Sequence, residues 1–133
     1  MLWSNIYETG NPDVDAEHKE IFSLVGKLGG ASSADRKEKL EGAIDFLTDY
    51  VTRHFAHEER LMDESAYPKS AEHKGQHKAF AQEAVKFKRR ILSEGDSLNL
   101  SLEVNKTIVE WLTAHIMNSD KALASHYKQW SKK

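Results

Sequence analysis

Apolar residues recur along this chain in alternating steps of four and three, the period of helices that each bury one face. The first stretch reads Val14, His18, Ile21, Val25, Leu28, and the second Leu40, Ile44, Leu47, Val51, His54, Glu58, Leu61, Ser65. The third reads His73, His77, Phe80, Ala84, Phe87, Ile91, and the fourth Val104, Ile108, Trp111, His115. Breakers and caps set the expected boundaries. An irregular leader containing Pro12 precedes a helix from about Val14 to Leu28, stopped by Gly29-Gly30. After the linker 31–34, Ser33 or the pair Asp35 and Glu38 can cap a second helix that runs to about Ser65. Pro68 breaks the chain, Ser70 with Glu72 starts a third helix, and Gly95 suits its C′ position. Asn99 or Ser101 opens a fourth helix that continues to about Met117, leaving a short C-terminal tail. Short connections between long helices favour antiparallel neighbours. The predicted fold is therefore all-α, an antiparallel up-down-up-down four-helix bundle, with residues 1–133 forming one domain.

What breaks the pattern is its chemistry. His18, His54, Glu58, His73, His77 and His115 occupy positions that should be core, and burying ionisable groups without compensation costs several kcal/mol each. His18 and His73 with His77 lie near the starts of helices one and three, while His54 with Glu58 and His115 lie near the ends of helices two and four. In an antiparallel bundle these places share one end, so the six converge on one layer. Residues four apart on a helix sit roughly 5–6 Å from each other, which lets His54 with Glu58, and His73 with His77, aim at a common point. Metal coordination is the usual remedy for such a cluster. Imidazole and carboxylate suit Fe, Zn, Cu and Mn. Asp120 belongs to the set only by exception, because it lies about 140° around an ideal helix from His115. Both face the core only if the helix ends or forms a π-type bulge near Asn118-Ser119. With Asp120 the candidates number seven, too many for one tetrahedral ion and better matched to two metals bridged by carboxylates. His57, His126 and Glu59 fall off the stripes and are expected to be solvated.

Composition removes several alternatives. The chain has no cysteine, which excludes disulfides, thiolate metal sites and cysteine nucleophiles. With 19 Lys plus Arg against 21 Asp plus Glu, the net charge of −2 gives no general attraction to nucleic acid. The one basic cluster, Lys86, Lys88, Arg89 and Arg90, falls near a predicted helix end, where cations complement the macrodipole. Neither a secretory signal nor an apolar run of roughly 20 residues is present, so a cytoplasmic protein without a membrane span is the expectation; a monomer is expected as well.

The motifs His54-Phe55-Ala56-His57-Glu58-Glu59, His73-Lys74-Gly75-Gln76-His77 and Trp111-Leu112-Thr113-Ala114-His115-Ile116, followed by Asp120, resemble those of hemerythrin. Asp15-Ala16-Glu17-His18-Lys19 resembles the family's first-helix ligand motif, and Trp3 through Tyr7 its leader. The length and the region between the third and fourth helices resemble the bacterial single-domain branch. The resemblance implies two iron ions with an oxo or hydroxo bridge. By motif position His73, His77 and His115 would complete one iron, His18 and His54 would bind the other, and Glu58 and Asp120 would bridge them. It further implies that dioxygen binds at the open position of the second iron, for carriage, storage or delivery, with no catalytic residue. Phe55, Leu61, Trp111, Leu112 and Ile116 are expected to wall the ligand pocket against water. A di-iron peroxidase or nitric-oxide-handling reductase, or a sensor acting through a separate partner, is the alternative. Against the enzyme stands the ligand set, which is rich in histidine and lacks the Glu-x-x-His pairs of oxygen-activating carboxylate bundles.

Overall fold

The computed structural model describes residues 3–26, 36–94 and 98–132. Its helices are α1 (Pro12–Gly26), α2 (Arg36–Ser65), α3 (Ser70–Glu94), α4 (Leu98–His115) and α5 (Lys121–Ser131), with a π-helical turn at Ile116–Asp120 joining the last two. The predicted stops at Leu28, Gly29-Gly30 and Gly95, and the caps at Ser33 and Asp35, lie outside the described residues. Helices α1 to α4 form the antiparallel four-helix bundle. Each packs on its two neighbours in a closed ring, α1 on α2 and α4, and α3 on α2 and α4. Among the described residues no helix is long and apolar enough to cross a membrane.

The stripes build the core as their period requires. Ile21, Phe22 and Val25 of α1 meet Leu40, Ile44, Leu47 and Val51 of α2, Phe80, Phe87 and Ile91 of α3, and Val104, Ile108 and Leu112 of α4 in one continuous cluster. A second, smaller cluster of Met62, Tyr67 and Leu123 closes one end.

Three boundaries differ from the sequence reading. Pro12 is not in the leader but opens α1, where its missing N–H would have no partner anyway. Asn11 caps that helix, its Oδ1 accepting from the amides of Asp13 and Val14 at 3.1 and 3.2 Å. The fourth helix leaves the α-conformation after His115 rather than at Met117. The C-terminal segment is not a tail but α5, which packs on α2 and buries Leu123 and Ala124. The leader itself is ordered by aromatic packing, with Trp3 and Tyr7 lying 5.4 and 5.1 Å from the Phe22 ring. The basic cluster also departs from expectation. It stands before the last turn of α3, and two of its cations are paired, Lys88 with Asp45 at 2.6 Å and Arg90 with Glu103 at 2.9 Å.

Candidate metal centre

All five stripe histidines and both carboxylates are buried, none more than 5% exposed. Each helix delivers its share for the reason that gives it a core face: the four-three period that buries Val14 and Ile21 also buries His18 between them. Asp120 arrives differently. The π-turn closes its hydrogen bonds over five residues instead of four, so a residue five after His115 returns to nearly the same face.

The imidazoles point inward through Nε2. Asp120 Oδ1 lies 3.0 Å from Nε2 of both His73 and His115, while its Oδ2 lies 2.9 Å from Nε2 of His18. Glu58 repeats the arrangement: its Oε1 is 3.1 Å from His77 Nε2 and 3.7 Å from His73 Nε2, and its Oε2 is 3.5 Å from His54 Nε2 and 3.9 Å from His18 Nε2. Each carboxylate thus turns one oxygen to histidines of the His73, His77 and His115 set and the other to His18, joined at Glu58 by His54. One ligand atom from each of Glu58, His73, His77, His115 and Asp120 falls within 4.8 Å of the others, and the same holds for His18, His54, Glu58 and Asp120.

Hydrogen bonding does not account for this layer. His18 Nε2, His54 Nε2, Glu58 Oε2 and both oxygens of Asp120 are buried with no hydrogen-bond partner, although several stand about 3 Å from another polar atom. Two donors at right angles on a metal, each about 2.1 Å from it, are separated by about 3.0 Å, so the spacing is that of ligands around an ion. The residues fit a pair of cations with nitrogen and oxygen ligands.

The electrostatics keep His77, His54 and Asp120 in ligand-competent states. Burial, with the neighbouring His115 and His73, pushes the His77 imidazole down to about 2, so it is neutral at ordinary pH. Burial likewise lowers His54, against the opposing hydrogen bond of Glu17. Burial also works against ionisation of Asp120, but the imidazoles of His115, His18 and His73, each about 3 Å away, outweigh it and hold the carboxyl well below its usual range. Glu58 goes the other way, raised well above the ordinary glutamate range by burial and by the charge of Asp120. Two carboxylates this close do not both ionise without a cation between them.

Outside the layer, acceptors orient the rings. Glu17 Oε1 lies 2.8 Å from Nδ1 of His54 and equally close to Nδ1 of His57; Glu59 Oε2 lies 3.0 Å from His77 Nδ1; Gln76 Oε1 lies 2.8 Å from His115 Nδ1. An acceptor at Nδ1 fixes the tautomer that leaves the Nε2 lone pair free for a metal. His57 and Glu59 are therefore not simply solvated, being half-buried members of this outer network. His126 also departs from that expectation: its Nε2 lies 2.9 Å from the Ser65 carbonyl oxygen and its ring packs on Tyr67. Glu17 and Gln76 stand inside the motifs of the sequence reading but are given no role there, yet each directly precedes a stripe histidine, which is the signal that could have found them.

Of the expected pocket wall, Phe55 and Trp111 touch the centre directly. Phe55 stacks on His77 with centroids 3.8 Å apart and planes 6° from parallel, and Trp111 stacks on His115 at 4.5 Å and 15°. Leu112 and Ile116 belong to the main core cluster, and Leu61 is buried one turn beyond Glu58.

Comparison with known proteins follows the same lines. Residues 9–127 match the family described as Hemerythrin HHE cation binding domain. A bacteriohemerythrin of Stenotrophomonas maltophilia is 30% identical over 96% of this chain and 82% of its own length. One from Methylococcus capsulatus is 27% identical over 91% of this chain and 92% of its own. A crystal structure of wild-type hemerythrin superposes with a TM-score of 0.81 at 25% identity, covering 96% of this chain and 97% of that one.

Proposed function

This chain belongs to the hemerythrin family, and from that premise we propose that it binds dioxygen reversibly at a non-haem di-iron centre, for carriage, storage or delivery. The observation that carries the proposal is the two-sided use of both carboxylates: Asp120 faces His73 and His115 with one oxygen and His18 with the other, and Glu58 faces His73 and His77 with one and His18 and His54 with the other. His73, His77 and His115 would hold one iron, His18 and His54 the other, and Glu58 and Asp120 would bridge them together with a solvent-derived oxygen. When bound, the iron pair supplies the electrons and the open coordination position that dioxygen needs.

The chain's own residues do the rest. Glu17, Glu59 and Gln76 orient His54, His77 and His115 through Nδ1. Phe55 and Trp111 cover the faces of His77 and His115, and Leu61, Leu112 and Ile116 extend the apolar surroundings, limiting the water and protons that would turn binding into oxidation. A layer with five histidines and only two carboxylates supplies less anionic charge than the four-carboxylate sites of oxygen-activating bundles, which favours holding the ligand over using it.

The test is metal analysis of the purified protein, with absorption spectra recorded anaerobically, after oxygen exposure and after oxygen removal. Two irons per chain and a visible band that appears with oxygen and bleaches on its removal are expected. A chain without iron, or a single irreversible oxidation, would overturn the proposal.

A further inference from the structure

Three of the five histidines of the centre have an acceptor at Nδ1, and the three acceptors are not alike. His54 and His77 face carboxylates, Glu17 and Glu59, whereas His115 faces the neutral amide of Gln76. Gln76 Oε1 receives two donors, His115 Nδ1 at 2.8 Å and the hydroxyl of Ser119 at 2.6 Å. The direction of the amide follows from the chemistry. Were its NH₂ turned to His115, Nδ1 would have to accept and Nε2 would carry the proton, aimed at His73 Nε2 and Asp120 Oδ1, both about 3 Å away. The oxygen-inward orientation alone leaves the Nε2 lone pair for a metal.

The position of Gln76 is also structural in a specific way. It is half-buried on α3 between His73 and His77, and Ser119 lies in the π-turn immediately before Asp120. With Asn118 and Ser119 it separates two surface cavities, one of about 210 Å³ that reaches His115 and one of about 60 Å³ that reaches His73.

We propose that Gln76 is a positioning residue that tunes the three-histidine half of the centre: it fixes the ligating tautomer of His115 and, being uncharged, keeps that imidazole a weaker donor than one backed by a carboxylate. A carboxylate at Nδ1 draws the N–H proton toward itself and makes the ring more basic, which favours the oxidised metal; a neutral acceptor orients without that push. Gln76 thereby keeps the reduced, oxygen-binding state accessible. This inference rests on the di-iron reading above.

The experiment compares the iron-loaded wild type with Gln76→Glu and Gln76→Leu, measuring iron per chain, the one-electron midpoint potential by spectroelectrochemical titration, and the ¹⁵N shifts of His115 in the metal-free proteins. Gln76→Glu preserves an acceptor for both donors, so two irons are expected, with the oxidised form favoured about tenfold, a fall of about 59 mV. Gln76→Leu removes the acceptor and should weaken iron retention roughly 10–100-fold, with His115 passing from a single Nδ1–H tautomer to a mixture. An unshifted potential in Gln76→Glu, loss of iron from it, or unaltered iron retention and tautomer in Gln76→Leu would each overturn the inference. A wild-type chain that takes up no iron would sink the functional reading itself, and this inference with it; two irons with an unmoved potential would sink the inference alone.

Discussion

Acidifying the metal-free protein from pH 6.5 to 5.5 is expected to destabilise it, and the buried layer sets the size of the effect. His77 is held neutral down to about 2, whereas an unfolded histidine titrates near 6.5. Below pH 6.5 the unfolded chain therefore binds a proton at this position that the native chain refuses, and stability falls by about 1.4 kcal/mol per pH unit once the unfolded histidine is fully protonated. His54, also lowered by burial, acts in the same direction. Glu58 opposes them: its raised native pKa means that the folded chain holds a proton the unfolded one has released, which returns at most about 1.4 kcal/mol per unit. Asp120 and Glu17, both lowered, change stability only below the ordinary carboxylate range and stay out of this window. The unfolded histidines are only half protonated at pH 6.5, so over this unit each costs about 1.0 kcal/mol, and two histidines against about 1.3 kcal/mol returned by one glutamate leave a net loss of about 0.7 kcal/mol. The assay is urea unfolding followed by circular dichroism in chelator. With a denaturant slope of about 1–3 kcal/mol/M the midpoint should drop by roughly 0.2–0.7 M between pH 6.5 and 5.5. His77→Leu removes one of the two histidines, so its midpoint should become nearly independent of pH over the same range. The metal-loaded protein should also be insensitive until the ions leave, because a ligated imidazole has no free lone pair to protonate. A metal-free midpoint that stays level or rises between pH 6.5 and 5.5 would refute the reasoning.

Asp120→Asn keeps the shape but only one oxygen, so iron content should fall from two toward one per chain by elemental analysis; retention of both at wild-type affinity would show that Asp120 does not bridge. Phe55→Ala empties a core position and removes a ring from the face of His77, which should cost about 3–5 kcal/mol, whereas Phe55→Leu, nearer in volume, should cost less than about 1.5 kcal/mol. Thermal unfolding separates the two, and equal losses would mean that packing volume does not decide the cost. Ala66 follows the end of α2 with φ at +50°, a left-handed conformation that disfavours a side chain by about 1–2 kcal/mol. Glycine should relieve most of that, and Ala66→Gly is expected to raise the melting temperature by a few degrees; a decrease would place the strain elsewhere.

The ligand layer was legible in the sequence because burial and coordination demand the same direction: a side chain that points at its helix partners also points at whatever lies between them. Asp120 was legible as an exception, since its phase error against His115 implied a local change of helical winding, and the π-turn supplies it. Glu17, Glu59 and Gln76 were not, because a stripe analysis assigns residues one step off the stripe to solvent. In a square bundle that step of about 100° faces the adjacent helix instead. There Glu17 of α1 reaches His54 of α2, and Gln76 of α3 reaches His115 of α4. α5 had its own signal, since Leu123, Tyr127 and Trp130 repeat the four-three spacing. Ending the fourth helix at Met117 discards it. Pro12 misled as a breaker because proline is equally at home in the first turn of a helix, and only the preceding Asn11 distinguishes the two roles.

The inequality between the two halves of the centre reduces to which side chains two helices place one turn apart. On α3 the stripe reads His73 then His77, two nitrogens from successive turns. On α1 the matching stripe reads Val14, His18, Ile21, with apolar groups buried above and below a single imidazole. α2 and α4 contribute one histidine each, His54 to one side and His115 to the other, and both carboxylates are shared. Nothing on α1 can then supply a third nitrogen. On the reading proposed above, the metal held by His18 and His54 would therefore have one protein nitrogen fewer than its partner, because Val14 and Ile21 occupy the α1 stripe positions on either side of His18. On that reading the core stripe that holds the bundle together would also set the difference between the two halves of the ligand layer.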